Sequence, residues 1–256
     1  MIETNAARPV IVVPARLDSR RFPRKLLAEV EGKPLVVWTA ERIAREAPEF
    51  ELRFAVDGEE LASTLKVFGY SAVLTDPDLP SGTDRIAVAN EVIGAERVIN
   101  VQADEPLVTR PQILSLAEGL ERDGASMSTL CHHFETEEDF HDPNQVKVVR
   151  DKEGFALYFS RATIPFAREA DVGPPSAGFP AMRHLGLYAY SAEFLREFRD
   201  LPVGVLEEIE KLEQLRALEN GRRIAVGVTE EGSLGVDSPE DLERLAPELR
   251  RSAGRS

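Results

Sequence analysis

The chain has 256 residues, 45 acidic and 31 basic side chains, a formal net charge of −14, 43% hydrophobic residues and a single cysteine. That length suits one or two globular domains whose folding buries about three quarters of the unfolded surface, so the core needs neither disulfide nor structural metal. The acidity excludes general affinity for nucleic acid or an anionic membrane surface, since both demand a basic face.

Met1 to Arg8 lacks the apolar stretch of a signal peptide, and no later run approaches the roughly 18 apolar residues that span a bilayer. A cytoplasmic protein without membrane association is the expectation, and lone Cys131 agrees with a reducing compartment. Val10 to Val13 is a β-branched run ended by Pro14 and predicts a buried strand. Leu35 to Ala47 has helical spacing, and Leu52 to Val56 suits a second strand. Glu59 to Phe68 predicts a helix closed by Gly69, and Ala72 to Leu74 a third strand. Asp84 to Ile93 predicts a helix, Arg97 to Gln102 a strand and Pro111 to Arg122 a helix closing near Gly124. Such alternation implies a mostly parallel sheet flanked by helices.

After Gly124 the rhythm changes. Ser126 to Cys131, Val146 to Val149 and Ala156 to Phe159 predict strands without comparable helices between them, and hence a smaller antiparallel lobe. Residues 165 to 182 hold Pro165, Gly173, Pro174, Pro175, Gly178 and Pro180, a loop long enough for a lid or contact arm. Leu185 to Tyr190 predicts a strand, Leu206 to Leu218 one helix ended by Asn220-Gly221, and Arg223 to Val228 another strand. Ser238-Pro239 opens the final helix.

Charge is distributed unevenly. Between Arg8 and Lys33, seven basic residues face three acidic ones, and the segment Pro14 to Lys25 follows the first strand, at the sheet edge where open α/β folds bind ligands. A phosphate cradle and a solvated basic loop are both compatible with that composition. No Gly-x-Gly-x-x-Gly and no Gly-x-x-x-x-Gly-Lys-Ser/Thr occurs, which disfavours a dinucleotide oxidoreductase or a P-loop ATPase. Asp104 follows the strand ending at Gln102, and Asp237 precedes the last helix; two such acids can meet at one edge and hold Mg²⁺, or each can serve a turn or a helix entry alone. Cys131-His132-His133 alternates across a strand and suits packing better than a shared metal. His184 reads equally as a core histidine or an anion contact, and Glu213 and Gln214 as a solvated helix face.

Taken in order, Pro14-Ala15-Arg16 with Ser19-Arg20 and Pro23-Arg24-Lys25, Ser81-Gly82-Thr83-Asp84-Arg85, Gln102-Ala103-Asp104-Glu105-Pro106, Tyr158-Phe159-Ser160-Arg161, Arg183-His184-Leu185-Gly186, Leu212-Glu213-Gln214-Leu215-Arg216 and Gly235-Val236-Asp237 closely resemble the 3-deoxy-manno-octulosonate (Kdo) cytidylyltransferase family of lipopolysaccharide synthesis. The resemblance runs from about residue 9 to residue 246. It implies a Rossmann-like nucleotidyltransferase fold in a single domain over 1–256, with a substrate and dimerisation lobe at about 126–190, working as a homodimer on CTP and Kdo. It also implies that Pro14, Ala15, Arg16, Ser19, Lys25, Ser81 and Arg85 bind the nucleotide, that Asp104 and Asp237 ligate Mg²⁺, and that Arg16, Lys25, Asp104 and Asp237 carry catalysis. Gln102, Arg161, His184, Tyr188, Glu213 and Gln214 would contact the sugar acid, which makes the polar face at 213 and 214 a pocket wall.

Three positions depart from the family pattern: Ala103 and Arg24 stand where Gly is usual, and Ala55-Val56-Asp57 replaces Ala-Thr-Asp. Arg24 adds a charge to the phosphate loop. The expected reaction is in-line attack of the anomeric hydroxyl on the α-phosphorus. The rivals are transfer to an amino-substituted Kdo or a sialic acid, a pyrophosphorylase for a neutral sugar phosphate, and a catalytically inactive nucleotide-binding protein.

Overall fold

The computed structural model describes residues 8–19, 21–168, 179, 181–232 and 234–253. It separates into two compact units, one formed by Met1–Ile113 with Ser233–Ser256 and the other by Leu114–Gly232.

The first unit opens with β1 (Val10–Ala15), buried along its whole length. A 3-10 turn (Lys25–Leu27) and a small hairpin of β2 (Glu29–Val30) and β3 (Lys33–Pro34) lead into α1 (Leu35–Glu46). There follow β4 (Glu51–Val56), α2 (Glu59–Val67), β5 (Ala72–Leu74), α3 (Gly82–Ile93) and β6 (Arg97–Asn100). α4 (Arg110–Leu120) then crosses the boundary along the chain. Strand order is β6-β1-β4-β5, and β1 pairs in parallel with both β6 and β4, as β4 does with β5. The chain thus builds outward from β1 on one side and returns for β6 on the other. The loops after β1 and β6 flank the switch point where such sheets open a crevice.

Strand β1 includes Pro14, which pairs with Ala55, so proline does not end it. β6 runs out opposite Val12, leaving β1 paired on one side only by the time the chain reaches Pro14. A residue without an N–H is tolerated at such a margin. α1 buries Leu35, Val36, Val37, Ala40 and Ile43, the stripe expected of a helix covering a sheet.

In the second unit, β7 (Ala125–His132), α5 (Glu137–His141), β8 (Lys147–Arg150), β9 (Ala156–Ser160) and β10 (Ala181–Ser191) precede α6 (Ala192–Asp200). Two short helices, α7 (Val205–Glu210) and α8 (Gln214–Glu219), and strand β11 (Arg223–Val228) complete it. β10 is antiparallel to β7 and β8, and β8 to β9, while β11 lies parallel to β7. The last helix, α9 (Pro239–Ala253), returns to the first unit and buries Leu242, Leu245 and Leu249.

The helix expected over Leu206 to Leu218 is two helices, because Lys211 adopts φ 55°, ψ 48°. One left-handed residue ends α7, and α8 restarts at Gln214. Helices α5 and α6 have no counterpart among the expected elements. Most of the expected loop over 165–182, including Gly173, Pro174, Pro175, Gly178 and Pro180, lies outside the described residues. Among the described residues, no helix is long and apolar enough to cross a membrane.

Candidate functional site

In the first unit three distant segments meet on one ammonium. Lys25 Nζ donates to Asp104 Oδ2 and, at 2.9 Å, to the Val236 carbonyl, and lies 3.6 Å from Asp237 Oδ1. Arg21 also pairs with Asp237, at 2.8 Å. The loop after β1, the loop after β6 and the entry to α9 are therefore registered on a single cation.

Each arm is anchored locally. The Val236 amide donates to the Asp104 carbonyl at 3.0 Å, and the buried Thr39 hydroxyl of α1 donates to the Ala103 carbonyl at 2.8 Å. Ala103 is not among the residues with positive φ, so its Cβ fits an ordinary backbone. Leu26 is buried and fixes the turn that carries Lys25. Asp237 also serves the helix entry, its amide donating to Asp241 Oδ2 at 3.1 Å. Arg24 is left-handed at φ 58°, ψ 27°, which accounts physically for a preference for glycine there; its guanidinium forms a two-bond pair with exposed Glu60.

Along the same edge, Arg16 is exposed and makes no ion pair among the described residues. Arg85 is buried, donates to Thr75 Oγ1 and reaches the Pro77 carbonyl at 3.4 Å. Burial holds its pKa below the usual arginine value, with Asp57 and Asp76 pulling upward and Arg16 downward. Ser81 caps α3, accepting from the Asp84 amide at 3.1 Å. A Cβ at Gly82 would lie 3.6 Å from Pro14 Cγ, which places the start of α3 against the end of β1. Pro14 and Ala15 are buried in β1, and Ser19 is half-buried in the loop. Gln102 Nε2 reaches Asn100 Oδ1 at 3.4 Å.

In the second unit His184, Tyr188 and Gln214 form a neutral cluster. Strand β10 is irregular: Leu185 pairs with Leu130 and Tyr188 with Thr129, so the register shifts across Gly186 and Leu187. This bulge puts Tyr188 where residue 186 would stand in a regular strand, one pleat from His184, and their ring centroids lie 5.5 Å apart. The Thr129 hydroxyl fills the bulge, 3.0 Å from His184 Nε2 and 2.7 Å from the Leu187 carbonyl. Burial pushes the His184 imidazole down to about 3, so it is neutral at ordinary pH and suits a hydroxyl rather than an anion. Tyr188 donates to Gln214 Oε1 at 3.3 Å, and Gln214 Nε2 is buried without a partner among the described residues. Glu213 is exposed.

Arg161 is largely engaged by backbone: Nε donates to the Glu210 carbonyl at 2.7 Å and Nη1 to the Pro143 carbonyl at 3.1 Å. Fully buried Lys147 donates to the Asp142 and Arg161 carbonyls at 2.6 and 3.0 Å. Glu210 takes the Ser160 hydroxyl at 2.6 Å and the Arg161 amide at 2.9 Å. Cys131 is buried with its thiol 3.4 Å from Met182 Sδ and its pKa pushed up to about 11, while His132 Nδ1 lies 2.9 Å from the Thr229 carbonyl.

The structure thus joins Lys25, Asp104 and Asp237 in one cluster, and His184, Tyr188 and Gln214 in another. Thr39 supports the first cluster through Ala103, and Lys147 and Glu210 hold the backbone of Arg161; they escape a reading of the chain, because nothing local distinguishes Thr39 from core or Lys147 from surface.

A cytidylyltransferase family model matches residues 10–224. The chain is 46% identical to a 3-deoxy-manno-octulosonate cytidylyltransferase of Syntrophobacter fumaroxidans over 96% of this chain and 98% of that protein. It is 41% identical to an 8-amino-3,8-dideoxy-manno-octulosonate cytidylyltransferase of a Shewanella species, over 96% and 99%. Among solved structures, a CMP:2-keto-3-deoxy-manno-octonic acid synthetase complexed with CTP superposes with a TM-score of 0.88 at 33% identity, covering 96% of this chain and 100% of that one.

Proposed function

The chain belongs to the 3-deoxy-manno-octulosonate cytidylyltransferase family, and we propose that Arg16, Ser19, Lys25, Ser81 and Arg85, with the Pro14 and Ala15 backbone, hold CTP beside a Mg²⁺ site made by Asp104 and Asp237. The reaction transfers CMP from CTP to Kdo and releases pyrophosphate. The observation that carries the site assignment is the shared ammonium: carboxylates separated by more than a hundred residues already converge on one positive centre.

That donor set is carboxylate oxygen, the chemistry Mg²⁺ selects. Mg²⁺ bound there supplies charge neutralisation at the α-phosphate and acidifies a coordinated hydroxyl. Arg16 and Lys25 offset the charge that grows on the departing pyrophosphate, and Arg85 steadies the nucleotide from a buried position. Lys25 also ties the basic loop to both acids, so nucleotide and acid side chains share one register. The proposed sugar-acid contacts are Gln102 and, in the second unit, Arg161, His184, Tyr188, Glu213 and Gln214. A neutral His184 beside Tyr188 and Gln214 favours recognition of hydroxyls by desolvated hydrogen bonds.

The same proposal includes a homodimer in the cytoplasm. Its support is the apolar exposure of Val205, Leu206 and Ile209 on α7, beside exposed Val203. The 8-amino substrate is the second reading, motivated by the Shewanella relative. Pyrophosphate release should be measured with Kdo, its 8-amino analogue, sialic acid and a neutral sugar phosphate, each with CTP and UTP. Release with CTP and Kdo is expected to exceed every other combination; preference for the amino analogue would reassign the acceptor, and no release at all would leave a binding protein.

A further inference from the structure

The corner between β4 and α2 has no place in the chemistry above, yet it grips the loop on which that chemistry depends. Asp57 directly follows β4, and its Oδ2 accepts a hydrogen bond of 2.8 Å from the Leu17 amide, forty residues away in the chain. The Asp57 amide donates in turn to the Ala15 carbonyl at 3.2 Å. One residue thus clamps the backbone on both sides of Arg16.

The other carboxylate oxygen, Oδ1, is buried and has no hydrogen-bond partner among the described residues. Leaving a charged oxygen in that condition is unfavourable and calls for compensation. The Arg85 guanidinium is a nearby charge of the opposite sign, since both Asp57 and Arg16 act on it electrostatically. Two arginines addressed to one polyphosphate repel when it is absent, and a carboxylate beside them offsets that repulsion. Glu60 differs: its pair with Arg24 is exposed on both sides, where water competes for both charges.

We propose that Asp57 is a positioning residue for the transfer reaction, setting the Arg16 backbone at the sheet edge so that the guanidinium meets the nucleotide phosphates. The inference rests on the reading that the Arg16 loop holds CTP. It requires acceptor geometry at position 57, which asparagine preserves and alanine removes.

The test compares the full-length protein with its Asp57→Ala and Asp57→Asn variants, using calorimetric binding of CTP with magnesium and no sugar acid, and steady-state kinetics. Asp57→Ala should raise Kd and KM for CTP about tenfold, the loss of one hydrogen bond to a charged acceptor, with kcat at saturating CTP and KM for Kdo within about threefold. Asp57→Asn should recover most of the affinity. Hydrogen exchange without nucleotide should find the Leu17 amide protected in wild type and in Asp57→Asn, and at least about tenfold faster in Asp57→Ala. Should alanine not give folded protein, Asp57→Ser, too short to reach Leu17, takes its place. The proposal is overturned if the truncated variant binds CTP like wild type, if asparagine is as impaired as alanine, or if kcat alone falls. Arg16→Ala separates the two layers: wild-type CTP binding in that variant defeats the nucleotide reading itself, whereas weakened binding beside a normal Asp57→Ala defeats only the role given to Asp57.

Discussion

The cluster of the first unit, Lys25 with Asp104 and Asp237, is built of charges, and that of the second, His184 with Tyr188 and Gln214, of neutral groups. Asp237 is 54% exposed, while Lys25 and Asp104 are 14% and 26% exposed. Across the bulge of β10, by contrast, His184 is held neutral between Phe159 and Tyr188, and Gln214 is 4% exposed. Exposed ion pairs exchange partners cheaply, which suits a site that must take up and release a polyanion. Desolvated hydrogen bonds penalise any ligand that leaves them unmade, which suits discrimination among sugar acids. Four substitutions would break or sharpen this contrast.

The largest effect belongs to the second unit. Glu207 and Arg216 form a two-bond ion pair between α7 and α8, with both side chains under 10% exposed, and the Arg216 guanidinium stacks 4.3 Å from the Phe198 ring centroid. Glu207→Ala would strand a buried cation and should cost about 3–5 kcal/mol in denaturant unfolding. Replacing both partners with apolar residues of similar volume should restore most of it. A cost under about 1 kcal/mol for the single change would place this region with the exposed charges of the first unit.

In the first unit the informative change is Asp237→Asn. It should leave unfolding nearly unaltered, since the side chain is exposed, yet lower turnover about a hundredfold or more through lost charge stabilisation. Wild-type turnover at saturating magnesium would defeat the proposed role of Asp237 as a metal ligand and undo the contrast from the other side.

His184 sets a pH test. Below pH 6.5 the unfolded chain gains a proton that the folded imidazole refuses until about pH 3. Its contribution to stability is therefore complete above 6.5 and declines as pH falls through that window. Because His184 is only half-buried as a residue, the loss between pH 7 and pH 5 should be about 1–2 kcal/mol. His184→Gln should lack that slope in melts at graded pH. Parallel slopes would mean the imidazole protonates normally and can meet an anion as a cation.

These differences follow how much of each region was legible in the chain. Alternating β and α segments announced the parallel sheet, and a sheet edge collects the loops that follow its strands, so Lys25 and Asp104 fall at one edge by pattern, whereas Asp237 joined them as one of two open readings that the family resemblance favoured. Their use of a lysine as the shared cation could not. In the second unit, the apolar residues at 206, 209, 212, 215 and 218 continue a helical rhythm through a break, because Lys211 carries no local mark of a left-handed residue. The break depends on tertiary contacts: Glu219 reaches back to accept from the Leu206 and Glu207 amides at 3.0 and 3.3 Å, where a Cβ at Gly204 would collide with it. The expected strand over Leu185 to Tyr190 carried no bulge, and the pairing of His184 with Tyr188 needed the register of β7. Helix α6 was legible, with Ser191 accepting from the Phe194 amide and Phe194, Leu195 and Phe198 on one face, although the expected elements pass over it.

The smallest effect tests the open end of the contrast most directly. Arg24 stands where glycine is usual and pays a conformational cost in the left-handed region, while its guanidinium is turned to Glu60. Arg24→Gly relieves the backbone but frees the unfolded chain, two changes of opposite sign and similar size. The melting temperature should therefore move by less than about 3 °C. The CTP affinity, measured by calorimetry, should stay within about threefold, since an exposed pair already closed on Glu60 holds little in reserve. A tenfold loss would mean that Arg24 leaves Glu60 for the nucleotide, and the basic loop would then have one more working charge than its arrangement here assigns.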